Sequence, residues 1–202
     1  MILFGASGHA KVIIDILEKQ GVSIEYLVDA DPNIKELQSY QVKYEGDYVA
    51  SSVDKVIVSI GSNKIRKDVA RLLNVEFGWA IHPSAILGDD VSVGQGSVVM
   101  ANTAINSSSS IGNHNIINTN ASIDHDCELM DYVHISPNAT LCGGIKVGEG
   151  TQIGAGATII PNLSIGKWAT IGAGSVIINN IPDYAVVVGN PGRIIKYNDS
   201  EK

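Results

Sequence analysis

His125 stands between two acidic residues, Asp124 and Asp126. Carboxylates beside an imidazole orient the ring and stabilise its protonated form, as a general base requires. The same triplet is equally compatible with a solvated, charged turn. The choice between these interpretations depends on what surrounds His125 in the fold.

A six-residue repeat from Ile81 to Ile177 sets the surroundings of His125. Ile, Leu or Val occupies every sixth position of this stretch without an insertion. So regular a short period predicts a parallel β-solenoid, in which each repeat buries its apolar face against its neighbours. Small or apolar residues at the fifth position of most hexads fit strand alternation, so positions two to four must turn a corner. Three hexads then close one triangular coil, and residues eighteen positions apart stack on each other.

Stacking at this interval gives His125 a neighbour. His125 falls on a corner of the coil, where side chains project outward, and Gly143 stacks beside it with an accessible backbone N–H. A base, an acidic partner and a free amide at one corner are the components of acyl transfer. Ala155 and Ala173 are also eighteen residues apart, so they stack along one corner as the wall of a channel would.

His134 and Asn118 carry weaker signals. His134 lies on a strand between two inward-facing residues, so its side chain points outward, as do the mostly polar residues at equivalent positions. The position predicts a surface histidine, and a contact across a subunit seam is the alternative. Asn118 occupies a corner, where stabilising a turn is its ordinary role.

Residues 1–75 alternate short apolar strands with helices, which predicts a small parallel α/β unit of Rossmann-like βαβαβ type. A glycine-rich turn joins the first strand to the first helix; it consists of Gly5, Ala6, Ser7, Gly8 and His9. Backbone N–H groups at such a helix N-terminus attract phosphate, although the turn is only half of a dinucleotide-binding fingerprint. Asp29 ends the second strand, where a ribose or base contact falls in such folds, and capping a turn is the alternative role.

Three units are therefore predicted along the chain. The α/β unit covers 1–75 and an all-β parallel β-helix covers 81–182. The repeat fails after Ile177, so the segment 183–202 is expected to cap the open end of the coil.

The composition disfavours several function classes. Net charge is −7, from 14 basic and 21 acidic residues without a basic cluster, so nucleic acid is not an expected partner. No apolar run is long enough to span a membrane, and the first residues lack a secretory signal. The scattered histidines form no metal-ligand motif. Two cysteines outside any CxxC pair fit a reduced, cytoplasmic protein.

The repeat, and the Val-Gly-Asn-Pro-Gly-Arg run after it, resemble those of hexapeptide-repeat acyltransferases. That resemblance implies a left-handed parallel β-helix, whereas the general rule for parallel crossovers favours the right-handed form. With the Gly5–His9 turn and the residues described above, the chain resembles the sugar O-acyltransferase family. That family contains sialic acid O-acetyltransferases and bacterial nucleotide-amino-sugar N-acetyltransferases, and the match extends over nearly the whole chain.

The resemblance implies roles for individual residues. His125 corresponds to the general base, and Asp126 to the acidic residue that raises its basicity, which is Glu in some members. Contacts with acetyl-CoA fall at His134, Gly143, Ala155 and Ala173. The nucleotide-linked sugar is held by the Gly5–His9 turn, Asp29, Asn63, Arg66 and Asn118, with a solvated helix position as the alternative for Arg66.

The function predicted from this resemblance is acetyl-CoA-dependent N-acetylation of a nucleotide-linked amino sugar, without a metal, by a homotrimer with active sites at the subunit seams. An O-acetyltransferase of a sialic acid or related sugar is the nearest alternative. A catalytically silent β-helix scaffold is the alternative of a different class. A nucleotidyltransferase is disfavoured because no long, basic, glycine-rich loop is present.

Overall fold

The computed structural model describes residues 1–51 and 54–198, which form an α/β unit and a β-solenoid packed against each other. The elements of the α/β unit are β1 (Ile2–Phe4), α1 (Gly8–Lys19), β2 (Tyr26–Asp29), β3 (Glu36–Leu37), β4 (Tyr40–Tyr44), a 3₁₀-helix (Glu45–Asp47), β5 (Lys55–Val58), α2 (Asn63–Leu72) and β6 (Glu76–Phe77). Among the described residues, no helix is long and apolar enough to cross a membrane.

The sheet of the α/β unit has the strand order β3-β4-β2-β1-β5-β6. All of its pairs are parallel except β3 with β4, which are antiparallel. The predicted alternation of strand and helix is confirmed, but β3, β4 and the 3₁₀-helix were not predicted. The signal for β4 was present in the sequence and was not used, because Tyr40, Val42 and Tyr44 alternate with the polar Gln41 and Lys43.

The two helices begin and end for local reasons. α1 buries residues at helical spacing, which are Ala10, Ile13, Ile14, Ile16 and Leu17. It ends just before Gly21, which adopts the left-handed conformation (φ +71°) that glycine reaches without strain. α2 begins after Ser62, whose hydroxyl accepts a hydrogen bond from the Ile65 N–H at 3.5 Å.

The solenoid consists of two-residue strands joined by four-residue turns. These strands are β7 (Ala80–Ile81), β8 (Ile86–Leu87), β9 (Ser92–Val93), β10 (Val98–Val99), β11 (Ala104–Ile105), β12 (Ser110–Ile111), β13 (Ile116–Ile117), β14 (Ser122–Ile123), β15 (Glu128–Leu129), β16 (His134–Ile135), β17 (Thr140–Leu141), β18 (Lys146–Val147), β19 (Gln152–Ile153), β20 (Thr158–Ile159), β21 (Ser164–Ile165), β22 (Thr170–Ile171) and β23 (Val176–Ile177). Each pairs in parallel with the strand eighteen residues away, as in Ile117 with Ile135, so the predicted coil length is confirmed.

Three sheets form the sides of this coil. Sheet I contains β7, β10, β13, β16, β19 and β22; sheet II contains β8, β11, β14, β17, β20 and β23; sheet III contains β9, β12, β15, β18 and β21. The aliphatic residue of each hexad points inward and joins one continuous core. The fold is therefore an α/β unit followed by a left-handed parallel β-helix, as expected.

The last coil is extended by a pair of strands. Ile181 bridges to Ile165, and β24 (Ala185–Val188) adds to sheet I in parallel with β22. β25 (Arg193–Tyr197) then pairs antiparallel with β24. The segment expected to be a cap, 183–202, has this arrangement up to residue 198, and residues 199–202 lie outside the described part of the chain.

The α/β unit packs on the outward face of sheet I. The outward-facing side chains of Ala80, Val98 and Ile116 belong to the same buried cluster as the apolar face of α1. Burying a large aliphatic side chain contributes about 1.5–3 kcal/mol, which makes this contact a substantial part of the fold. Because sheet I is covered, the corner between sheets II and III lies on the opposite side of the solenoid from the α/β unit.

Candidate active site

His125 lies on that opposite corner, in the turn between β14 and β15. Its Nδ1 lies 2.6 Å from Oδ2 of Asp126, so the shorter carboxylate does reach the ring. An Nδ1–H donated to Asp126 leaves the lone pair of Nε2 free to accept a proton. Asp126 adopts φ +58° at the turn, a conformation that Asp tolerates better than most residues.

The pKa of His125 is raised above its ordinary value. The hydrogen bond that Nδ1–H of His125 donates to Asp126 is the largest cause, and the charge of Asp124 adds to it. Asp124 is itself fixed, because its Oδ1 accepts hydrogen bonds from the His125 N–H and from the Asn106 side chain, both at 2.8 Å. The two carboxylates therefore have separate tasks: Asp126 orients the ring and Asp124 holds the turn.

Gly143 stacks on His125, as predicted. A Cβ at position 143 would lie 2.7 Å from Nε2 and 2.6 Å from Cε1 of the ring, so any side chain there would displace the imidazole. The neighbouring Gly144 N–H donates to the His125 carbonyl at 2.9 Å, while the Gly143 N–H has no acceptor within the described ranges 1–51 and 54–198. The corner thus places a proton acceptor beside an unused amide, but Gly143 is buried beneath the ring, so the expected accessibility of its N–H was wrong.

These groups open onto a cleft of about 310 Å³. Its lining consists of Asp124, His125, Asp126, Cys142, Gly143, Gly144, Pro161 and Asn162. Pro161 and Asn162 were not predicted, although the repeat contains the signal, because they stand eighteen residues after Gly143 and Gly144. A base, its orienting carboxylate and an amide donor in one solvent-accessible cleft suit the transfer of an acyl group.

Ala155 and Ala173 lie on a different corner, the one between sheets I and II. The Gly174 N–H donates to the Ala155 carbonyl at 2.8 Å, so the two positions do stack as predicted. Within one chain they flank sheet II on one side, whereas His125 flanks it on the other. One subunit therefore does not bring these alanines and His125 together.

His134 is not the surface residue that its strand position predicts. It lies on sheet I beneath the α/β unit, and burial lowers its pKa to about 3. Its Nε2 is 3.1 Å from the side-chain nitrogen of Asn118, and its Nδ1 is buried. The expectation of a solvated side chain was wrong because the hexad pattern contains no information about what covers each sheet.

Arg66 and Asn63 also lie at this junction. Arg66 is only 1% exposed, so the alternative of a solvated helix position is wrong. Its five N–H groups donate to acceptors within the chain, namely the carbonyls of Ile60, Gly61, His114 and Tyr132 and the side chain of Asn63. Asn63 in turn donates to the Gly150 carbonyl at 3.0 Å. Both residues join α2 to the solenoid, and Arg66 keeps no free donor for a ligand.

The glycine-rich turn and Asp29 meet at the carboxyl edge of the α/β sheet. Oδ2 of Asp29 accepts the Ala6 N–H at 2.6 Å, and its Oδ1 accepts the Asp31 N–H at 2.9 Å. A pocket of about 150 Å³ opens beside them, lined by Phe4, Gly5, Ser7, Asp29, Ala30, Glu45, Ile60, Ile65 and Val69. Gly8 and His9 begin α1 instead of lining this pocket, and burial lowers the pKa of His9 to about 4.

The β-helix, the His125–Asp126 pair on an open corner and the separate glycine-rich turn are typical of a hexapeptide-repeat transferase with an N-terminal α/β unit. Family models support this class over both parts of the chain. The PglD N-terminal domain matches residues 1–73, and the bacterial transferase hexapeptide (six repeats) matches residues 144–179.

Proteins similar to this chain define the family further. A perosamine N-acetyltransferase from Caulobacter crescentus, solved as a point mutant with CoA and GDP-perosamine, is 35% identical with a TM-score of 0.90, over 96% of both chains. The acetyltransferase domain of PglB from Neisseria gonorrhoeae FA1090 is 33% identical with a TM-score of 0.89, over 96% of this chain and 98% of the other. The chain belongs to this family of hexapeptide-repeat sugar acyltransferases.

A curated relative adds a partial match. The UDP-N-acetylbacillosamine N-acetyltransferase of Bacillus subtilis (strain 168) is 37% identical over 109 residues, which is 49% of this chain and 50% of that protein. The matched region thus spans about half the length of this relative.

Proposed function

We propose that the protein transfers the acetyl group of acetyl-CoA to the amino group of a nucleotide-linked amino sugar, with His125 as general base. The observation that carries this proposal is the corner itself: Nδ1 of His125 is held by Asp126, and its free Nε2 side faces Gly143, whose N–H is unused by the described residues. The solved relative from Caulobacter crescentus holds CoA and GDP-perosamine, which supports this pair of substrates.

The proposed reaction assigns one step to each group. Nε2 of His125 accepts a proton from the attacking amine as its nitrogen forms a bond to the thioester carbonyl carbon. The Gly143 N–H stabilises the negative charge that develops on the carbonyl oxygen. The C–S bond then breaks, and the proton passes from His125 to the departing thiolate. Asp126 keeps the ring oriented throughout and favours its protonated form.

We further propose that each active site is shared between two chains of a homotrimer. The nucleotide pocket belongs to a unit that covers sheet I, whereas His125 lies on the opposite corner of the same solenoid. The alanines proposed to line the coenzyme channel flank sheet II on the other side from His125. A second chain placed against sheet II would bring its own I–II corner, and the α/β unit above it, beside His125 of the first chain.

A screen of nucleotide-linked amino sugars with acetyl-CoA tests the activity. Mass spectrometry should show the gain of one acetyl group on at least one of them. Each amino sugar is paired with its hydroxyl counterpart as the control. Acetylation of the hydroxyl compounds alone would replace this proposal with O-acetylation, and no binding of acetyl-CoA by calorimetry would favour a silent scaffold.

Mixed oligomers test the shared site. The H125A variant and a D29A variant, which loses support for the nucleotide turn, are co-expressed with different tags and purified through both. If base and nucleotide pocket come from different chains, the mixed oligomer regains part of the activity that each variant alone lacks. A mixed oligomer as inactive as its parents would contradict the shared site while leaving the chemistry of His125 unaffected.

A further inference from the structure

The nucleotide pocket contains a second carboxylate, Glu45, that the sequence analysis gave no role. Glu45 is the first residue of the 3₁₀-helix after β4, and it lines the same pocket as Gly5, Ser7 and Asp29. Within residues 1–51 and 54–198, no hydrogen bond or ion pair engages its side chain, whereas both oxygens of Asp29 accept backbone N–H groups. Glu45 is therefore available to a ligand.

The strand order fixes the order in which the lining residues of the pocket follow one another along the sheet edge. β1 and β2 are adjacent and parallel, and β2 pairs in parallel with β4, with Asp29 opposite Tyr44. The glycine-rich turn, Asp29 and Glu45 therefore follow one another along the carboxyl edge of the sheet, where ligands of open α/β sheets bind. A nucleotide with its diphosphate at the turn and its ribose at Asp29 would place its base at Glu45.

The pocket walls fit the faces of a base. Ile60, Ile65 and Val69 contribute apolar surface beside the two carboxylates, and Ile65 is 52% exposed although it is a large apolar residue. Apolar walls with a few polar groups at the edge are the usual composition of a site for a planar ligand. Glu45 lines the same pocket as these apolar residues, so its carboxylate is a charged group available to the polar edge of such a ligand.

The chemistry of Glu45 selects among bases. An ionised carboxylate only accepts hydrogen bonds, so it pairs with an edge that presents two adjacent donors. Guanine presents such an edge, with N1–H beside the exocyclic N2 amino group. The uracil and thymine edges present one N–H between two carbonyl oxygens that would repel the carboxylate, and adenine presents one amino donor beside an acceptor nitrogen.

We propose that the nucleotide carried by the amino sugar is a guanosine diphosphate, and that Glu45 is the residue that selects its base. This inference rests on the proposed function, since it identifies the nucleotide of that acceptor. It goes further by assigning a specificity residue outside the glycine-rich turn.

Calorimetric titration of the full chain with nucleoside diphosphates tests the assignment. GDP should bind roughly tenfold or more tightly than UDP, dTDP or ADP, as expected for a charge-assisted hydrogen-bonded pair. IDP, which lacks only the N2 amino group, should lose most of that advantage. The E45A variant should bind GDP as weakly as the other nucleotides. The matched control is D47A, which removes another exposed carboxylate of the same 3₁₀-helix that does not line the pocket.

The contrary outcomes are distinguishable. Tighter binding of UDP or dTDP than of GDP overturns the base assignment and leaves acetyl transfer to an amino sugar intact. A GDP preference that survives in E45A overturns the role of Glu45. Absence of binding by every nucleoside diphosphate overturns the acceptor site itself, and with it the nucleotide part of the proposed function.

Discussion

Two regions of this protein hold histidines in opposite environments. At the corner between sheets II and III, His125 is exposed, and hydrogen bonding to Asp126 raises its pKa. At the junction between the α/β unit and the solenoid, burial lowers the pKa of His9 and His114 to about 4 and that of His134 to about 3. One environment prepares a histidine to take a proton, and the other prevents it from doing so.

The difference teaches where to look for chemistry in a repeat protein. The junction contains more histidines than the corner, but their rings are packed: His114 stacks on Tyr132 at 5.1 Å and meets Phe77 edge-on at 4.5 Å. These side chains hold two units together. At the corner the side chains of His125 and Asp126 are exposed, although Gly143 beneath the ring is buried, so these two side chains are free to contact a substrate.

The largest expected effect is the loss of the base at the corner. The H125A variant should lower kcat by about a hundredfold or more, because the remaining proton acceptors of the cleft are carboxylates, which are much weaker bases than an imidazole. Its melting temperature should stay unchanged, since the His125 side chain is 61% exposed. Steady-state kinetics measure the loss, with H82A as a control from another corner. Near-normal turnover of H125A would show that His125 is not the general base.

Breaking the junction should act on stability and leave the chemistry of the corner in place. The R66M variant removes five hydrogen bonds and leaves buried carbonyls without donors, so the free energy of unfolding should fall by about 2–5 kcal/mol. Urea denaturation measures the change, and R71M, an exposed arginine of the same helix, is the control. Equal stability of the two variants would show that the junction does not depend on Arg66.

Lowering the pH should change the folding stability in opposite directions through the histidines of the two regions. The buried histidines bind protons more readily when unfolded, at about 6.5, than when folded, at about 3 to 4. Stability is therefore complete above about pH 6.5 and falls as the pH decreases toward 4, by at most about 3 kcal/mol for each histidine. His125 has the opposite sign, because its raised pKa stabilises the fold at low pH and this contribution is lost as the pH rises.

Melting temperatures between pH 7 and pH 4 measure this effect. The H114N variant should show a shallower loss, and Asn suits position 114 because the backbone there has φ +54°. H125A should keep the full loss. A wild-type protein whose melting temperature does not change across this interval would contradict burial of neutral histidines at the junction.

The smallest expected effect concerns the tuning of the base. His125 must be unprotonated to accept a proton, so activity should rise with pH through the pKa of this residue. In the D126N variant that pKa falls, because the hydrogen bond to a carboxylate is its main cause, and the rising limb should move to lower pH. The maximal rate should fall less than in H125A. A pH–rate profile with an unmoved limb would mean that Asp126 does not tune the base.

The sequence predicted the corner better than the junction. Position within the hexad placed His125 and Gly143 together, since residues eighteen apart stack whenever the repeat is unbroken. The sequence did not predict the burial of His134 and Arg66, because that burial depends on the α/β unit lying across sheet I. Glu45 was missed because the strand before it, in which Tyr40, Val42 and Tyr44 alternate with polar residues, was not recognised.

What the sequence determined by itself is local and periodic: the coil length, the stacking order along each corner and the glycine-rich turn before α1. These follow from short-range geometry, which repeats wherever the residue pattern repeats. Only the tertiary structure decided which side of the coil is covered, and therefore that the pocket beside Asp29 and the His125 corner lie on opposite sides of one chain. That choice depends on apolar contacts between residues far apart in the chain, such as those of α1 with Val98 and Ile116, which no local pattern encodes.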